Sequence, residues 1–166
     1  MPVVSNTSPL LNLAIIDHLF LIKKQFGKVI IPNRVLTELK INDNLPGSQQ
    51  LQDAIKSDWI SIHQVENKAL VKLLRRELDS GEAEAIALAI QLNADCLLLD
   101  EREGRRIART FGLKITGVLG IILKGWRDND VLSVSEKIKQ LRTQANFHIA
   151  PNLEQRILIE TGEMEI

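Results

Sequence analysis

Carboxylates at the ends of apolar runs are the side chains here whose type and spacing could do chemistry. Glu82 and Glu84 lie in SGEAEAIALAIQL, Asp100 and Glu101 follow CLLL, and Glu38 lies in VIIPNRVLTEL. Near the start, Asn6, Thr7 and Ser8 directly follow the short apolar run that begins at Val3. Acid and amide oxygens gathered in one place suit a hard divalent cation such as Mg2+ or Mn2+, which takes carboxylate and water oxygens. The same residues also have plainer uses. A glutamate in a first helical turn favours the helix dipole, an aspartate starts a turn, and Ser or Thr before Pro caps a helix. With three histidines, one cysteine and no His or Cys pair at ligand spacing, a zinc site is not expected.

The elements that must position these groups can be read from periodicity. Asp79 followed three residues later by Glu82 is a capping-box start, and Ala83, Ile86, Ala87 and Ile90 recur at helical spacing. Ala85, Leu88, Ala89 and Leu92 make the other side apolar too, so past its first turn this helix belongs inside the domain. A turn at Asn93 and a buried strand over Cys96 to Leu99 follow, and Asp100 and Glu101 stand where that strand stops. Residues two apart on a helix point about 200° from each other. Glu82 and Glu84 therefore cannot face one cation equally; Glu82 is the expected ligand, and Glu84 a supporting or partner-binding group.

Elsewhere the spacing predicts strands at Val3 to Ser5, Val29 to Ile31, Trp59 to Ile62 and Lys114 to Thr116. Helices are expected over Leu10 to Leu21, from Asn33, over Gln49 to Lys56, over Glu66 to Leu78 with Leu70, Leu73, Leu74 and Leu78 inward, and over Glu101 to Thr110. Three more follow, at Val118 to Trp126, Ser135 to Arg142 and Asn152 to Glu160. The run INDNLPGS, residues 41–48, is the strongest loop and the expected flap. Strands alternating with helices predict a single α/β domain over residues 1–166. It would be a three-layer α/β/α sandwich with a parallel sheet of four or five strands. In such a sheet ligands bind outside the carboxyl ends of the strands, which is where Asn6, Glu38, Glu82 and Asp100 would meet.

The chain of 166 residues is long enough to bury about 70% of its unfolded surface. Its 21 basic and 21 acidic residues balance, so any attraction to nucleic acid must be local. Basic residues do cluster, with Arg102, Arg105, Arg106 and Arg109 directly after the acidic pair. Cys96 lies in an apolar run, as a core thiol in a reducing compartment would. The start lacks a basic leader, and the longest apolar stretch is broken by Asn12, Asp17 and His18, so a cytoplasmic protein with no membrane span is expected.

The motifs VVSNTSPLLNLA, VIIPNRVLTEL, GEAEAIALA, CLLLDEREGRRIA and GLKITGVLGIILKG together resemble the PIN domains over most of the chain. PIN domains are nucleases with a metal site of three or four acidic residues on a parallel α/β/α sandwich. The closest likeness is to a bacterial and archaeal branch with toxin-type ribonuclease relatives. Carried over, the resemblance puts the first acidic position on Asn6, the second on Glu38, the third on Glu82 or Glu84 and the fourth on Asp100, with Glu101 as an additional candidate. At Asn6 the chain departs from the pattern: an amide offers oxygen to a cation without a negative charge. The implied activity is Mg2+- or Mn2+-dependent hydrolysis of single-stranded RNA, with Thr7, Ser8, Arg102, Arg105 and Arg106 on the substrate. An antitoxin partner and a homodimer are further implications. Two other readings compete: a PIN-like module that binds nucleic acid or protein without cutting, and a phosphotransfer domain. The second is disfavoured because no strand ends in a nucleophilic Asp followed by a second Asp.

Overall fold

Val3 and Leu98 point into one apolar cluster while Val4 and Leu97 point into another, so the two strands that carry them are buried on both faces. That is the pattern of a parallel sheet covered by helices on either side. The computed structural model describes residues 2–166. In chain order, β1 (Val3–Ser5) leads to α1 (Thr7–Ile15) and α2 (Phe20–Phe26), and β2 (Val29–Pro32) to α3 (Asn33–Leu39) and α4 (Ser48–Lys56). Next, β3 (Ile60–His63) leads to α5 (Lys68–Leu74) and α6 (Ser80–Gln91), and β4 (Cys96–Leu98) to α7 (Arg102–Thr110). Finally, β5 (Ile115–Thr116) leads to α8 (Val118–Arg127), α9 (Val134–Gln144) and α10 (Pro151–Glu160).

The five strands lie in the order β3-β2-β1-β4-β5, and every neighbouring pair is parallel. All their carboxyl ends therefore open on one edge. Ser5 pairs with Leu98, and Leu98 with Thr116, so the residues that follow these three strands leave the sheet side by side. The chain builds outward from β1 to β2 and β3, then crosses back to place β4 and β5 on the other side. Its switch point, where ligands bind in open α/β sheets, lies between β1 and β4. Helices α1, α2, α8, α9 and α10 cover one face and α5, α6 and α7 the other, giving the expected α/β/α sandwich.

Several boundaries differ from the sequence reading. The helix expected over Leu10 to Leu21 is two helices, because the chain turns at Asp17, φ 60°, with the His18 N–H donating to the Leu13 carbonyl at 2.7 Å. The break lets Leu10 and Leu13 from one segment and Leu21 and Ile22 from the other enter the same core. Leu73 is not inward but 56% exposed, since α5 ends at Leu74 and touches the domain along one side only. Residues 41–47 form the expected loop, tied at its far end where Leu45 N donates to Ser48 Oγ at 3.0 Å. Gly47, φ 87°, lies so close to α1 that a Cβ there would meet Ala14 Cβ at 2.8 Å.

Candidate active site

Asn6 and Asp100 flank the switch point. The Asn6 backbone N–H donates to the Leu98 carbonyl at 2.9 Å, which joins β1 to β4 at their ends. Asn6 occupies the cap position of α1 but its side chain makes no capping bond; it is 3% exposed and Oδ1 has no partner among the described residues. Asp100 is similar: Oδ1 accepts from Val118 N at 2.9 Å, and buried Oδ2 has no partner. Orphaned buried acceptors are uncommon because each forfeits its bonds to water, and two of the three among the described residues, the other being Asp130 Oδ2, stand at this sheet edge, where an ion or a bound water would complete them.

Three carboxylates at this edge each lie against a glycine. A Cβ on Gly81, in the first turn of α6, would fall 2.0 Å from Glu38 Oε1. One on Gly104, in α7, would fall 3.3 Å from Glu82 Oε1, and one on Gly117, ahead of α8, 2.5 Å from Asp100 Oδ1. Removing those side chains makes room for acid groups. Glu82 is held further by the capping box: Asp79 N donates to its Oε2 at 3.1 Å and Glu82 N to Asp79 Oδ1 at 2.9 Å. Small hydroxyls steady the rest, with Thr7 Oγ1 donating to Glu38 Oε1 and Ser8 Oγ to Glu101 Oε1, both at 3.1 Å. Glu101 caps α7 by position alone, with no side-chain capping bond.

Electrostatics binds the group together. Burial, reinforced by the charges of Asp79, Glu101 and Glu38 and opposed by the Asp79 N–H, raises the pKa of Glu82 to about 7. Burial also raises Asp100 to about 6, against the pull of Val118 N–H and Arg105. Glu38 is raised by burial and by Asp79 and Glu84, with the Thr7 hydroxyl opposing. These acids are crowded in a poorly solvated place, a condition that a cation relieves.

No group of three or more Asp, Glu, His or Cys side chains stands together as a ready metal cage among the described residues. One oxygen each of Glu38, Glu82, Glu101 and Asp100 instead accepts from a neighbouring N–H or O–H donor. The donor set nevertheless fits a hard divalent ion in kind: three carboxylates in glycine-lined seats and two orphaned oxygens at one edge. Glu84 Oε1 accepts from Arg34 N at 3.4 Å, and Glu84 stays near enough to Glu38 for its charge to raise the Glu38 pKa.

The arginines after the acidic pair also separate. Arg105 donates from Nη1 to the Leu99 carbonyl at 3.3 Å and lies beside Asp100 at Gly117. Arg106 is drawn off to Glu103 at 2.9 Å and Glu77 at 3.7 Å and does not line the cleft that Arg102, Arg105 and Arg109 line. That cleft, about 970 Å3, is lined by Asp100 together with residues of β5, α7, α8 and α10. The sequence reading did not single out its far wall, Phe147, His148 and Arg156, nor the three glycines. Gly81 and Gly117 could have been suspected, since each adjoins a helix start next to a predicted site residue.

No curated protein matches the sequence. A solved PilT N-terminus domain protein from the hyperthermophilic archaeon Sulfolobus solfataricus P2 is similar at a TM-score of 0.46 and 16% identity, over 75% of this chain and 92% of that one. No helix among the described residues is long and apolar enough to cross a membrane. A family model described as PIN domain matches residues 2–163. With that match spanning nearly the whole chain, and a parallel sandwich that gathers acids at its switch point, the chain belongs to the PIN domain family, whose members are generally nucleases that use divalent metals.

Proposed function

We propose that this chain is a metal-dependent endoribonuclease that hydrolyses phosphodiester bonds of single-stranded RNA. Mg2+ or Mn2+ would be held by Glu38, Glu82 and Asp100, with the neutral oxygen of Asn6 in place of a fourth carboxylate. One observation supports the reading most: acids from three distant segments each occupy a glycine-lined seat at the switch point. When bound, such an ion lowers the pKa of a water and offsets charge on the scissile phosphate. The protein supplies the rest. Thr7 and Ser8 hold Glu38 and Glu101 at the rim, Arg105 and Arg102 neutralise the phosphate backbone without reading sequence, and a carboxylate of the cluster takes the proton of the attacking water. The toxin-type relatives extend the proposal to a homodimer with an antitoxin partner, which solution mass measurement checks.

Asn6 favours a second reading, a module that binds RNA or protein without cutting, because the amide removes one negative charge from the site. Melting the protein with and without Mn2+ and incubating it with labelled single-stranded RNA separates the two. The nuclease reading expects a higher melting temperature with Mn2+, RNA cleavage, and loss of cleavage in Asp100→Asn. Neither a thermal shift nor cleavage would leave the binding module.

A further inference from the structure

Seven of the arginines bear on one contrast. Arg106, Arg127 and Arg142 each hold a carboxylate, at 2.9, 2.6 and 2.5 Å, whereas Arg102, Arg105, Arg109 and Arg156 form no ion pair among the described residues and, unlike Arg34, Arg75 and Arg76, which also form none, all four line the cleft with Asp100. Arg102, Arg109 and Arg156 are exposed and solvated, so nothing forces a partner on them, but guanidinium groups gathered on one concavity are placed to take an anion by charge-assisted hydrogen bonds. Arg102 and Arg109 are seven residues apart on α7, about 10 Å along the helix, and Arg156 faces them from α10. Between these rims the floor is apolar, with Leu119, Leu123, Phe147 and Leu153. The α10 wall is pinned in place, since Glu160 pairs with Arg127 of α8 and Glu154 with Arg142 of α9.

We propose that this cleft is the track that carries a single strand of RNA to or from the carboxylates, with its phosphates on Arg109 and Arg156 and its bases on the apolar floor; the proposal rests on the nuclease reading above. Continuity supports this occupant, because Asp100 itself lines the cleft and a strand whose scissile phosphate lies there must leave along some path. A cleft of about 970 Å3 takes a few nucleotides of a flexible strand, not the broad face that a duplex presents. Phe147 and His148 supply the flat groups against which a base stacks. An acidic peptide shares the charge complementarity but has no reason to enter at Asp100.

The test is binding of a fluorescent 12-nucleotide oligouridylate to the full chain in EDTA, followed by anisotropy across a salt series, so that no cleavage intervenes. Arg109→Ala and Arg156→Ala should each weaken binding about 5- to 10-fold and reduce the salt slope by about 0.7, one phosphate contact apiece. Both should keep the wild-type melting temperature. Arg75→Ala and Arg76→Ala, which change arginines outside the cleft, should bind as wild type. Unchanged affinity and slope in the two cleft variants would overturn the track. So would failure of the wild type to bind oligouridylate, or binding of an acidic Glu/Leu peptide through Arg109 and Arg156 in its place. Mn2+-dependent hydrolysis of a small chromogenic phosphodiester, which needs no track, reports separately on the nuclease reading; if it persists after those failures, only the track is lost.

Discussion

At Gly81 the three atoms nearest an added methyl group all belong to the Glu38 carboxylate, the movable end of a flexible side chain, so Gly81→Ala sets stability against function. Replacing glycine by alanine inside a helix stabilises by about 1 kcal/mol, about 2–4 °C in a chain of this size, while Glu38 is pushed from its seat. The expected outcome is an unchanged or higher melting temperature with Mn2+ affinity at least about tenfold weaker, read by thermal shift and calorimetry. Glu82 offers a pH test. Its pKa in the fold, about 7, lies above that of an unfolded glutamate, so between about pH 4.5 and 7 the native state binds the extra proton. Its stabilising share is complete below that window and is lost as pH rises through it. In metal-free buffer stability should therefore fall from pH 5 to pH 7.5 by on the order of 1–3 kcal/mol, discounted for solvent screening and read as a lower melting temperature. Glu82→Gln keeps a capping side chain and should reduce the slope, leaving the share of Asp100, which is also raised, to about 6, while losing metal affinity; a slope unchanged in that variant would show that Glu82 does not contribute to it. Asn6→Asp restores a carboxylate beside Asp100 and should tighten Mn2+ binding. Equal affinity in Asn6→Asp and in Asp100→Asn would exclude both from the site.

Among the elements, α6 was the most legible. Its capping box, its apolar circumference and its closing turn at Asn93, φ 50°, all follow from local rules. The box also ties helix formation to the site, because Glu82 caps Asp79 with Oε2 while Oε1 lies over Gly104. Asp79→Ala should cost about 1 kcal/mol, about 2–4 °C, and should also weaken Mn2+ binding, since Glu82 loses the bond that holds it. Loss of stability without loss of metal affinity would make the box purely structural. The pair α1 and α2 was less legible. Apolar residues continue at helical spacing through the break, and only the left-handed Asp17 and the His18 bond to Leu13 divide them. Leu73 was misread for a related reason: period shows which residues share a face, not where an element ends or how far its neighbour covers it.

Across the molecule, the chain end bears on the cleft. The Glu163 carboxylate accepts from Val134 N and Ser135 N, both at 2.7 Å, and from Ser133 Oγ at 3.0 Å, tying the residues after α10 to the start of α9. Charge-assisted bonds at a helix start are strong. Glu163→Ala should lower the melting temperature by roughly 2–8 °C, about 1–2 kcal/mol, and weaken oligouridylate binding by loosening the wall that carries Arg156. A lower melting temperature with unchanged RNA affinity would make this anchor unrelated to the cleft. The strand and helix alternation, the parallel sandwich and the positions of Asn6 after β1 and Asp100 after β4 could be read from sequence. Each follows from period, capping and the rule that parallel strands share one carboxyl edge. What only the tertiary structure decided is spatial. Glu38 is seated on Gly81 and Asp100 on Gly117, Arg106 turns away to Glu103 while Arg105 stays by Asp100, and α10 closes a cleft against α7 from about fifty residues away. Such contacts depend on how separately folded elements pack, and a linear pattern carries no record of the distance between side chains far apart in the chain.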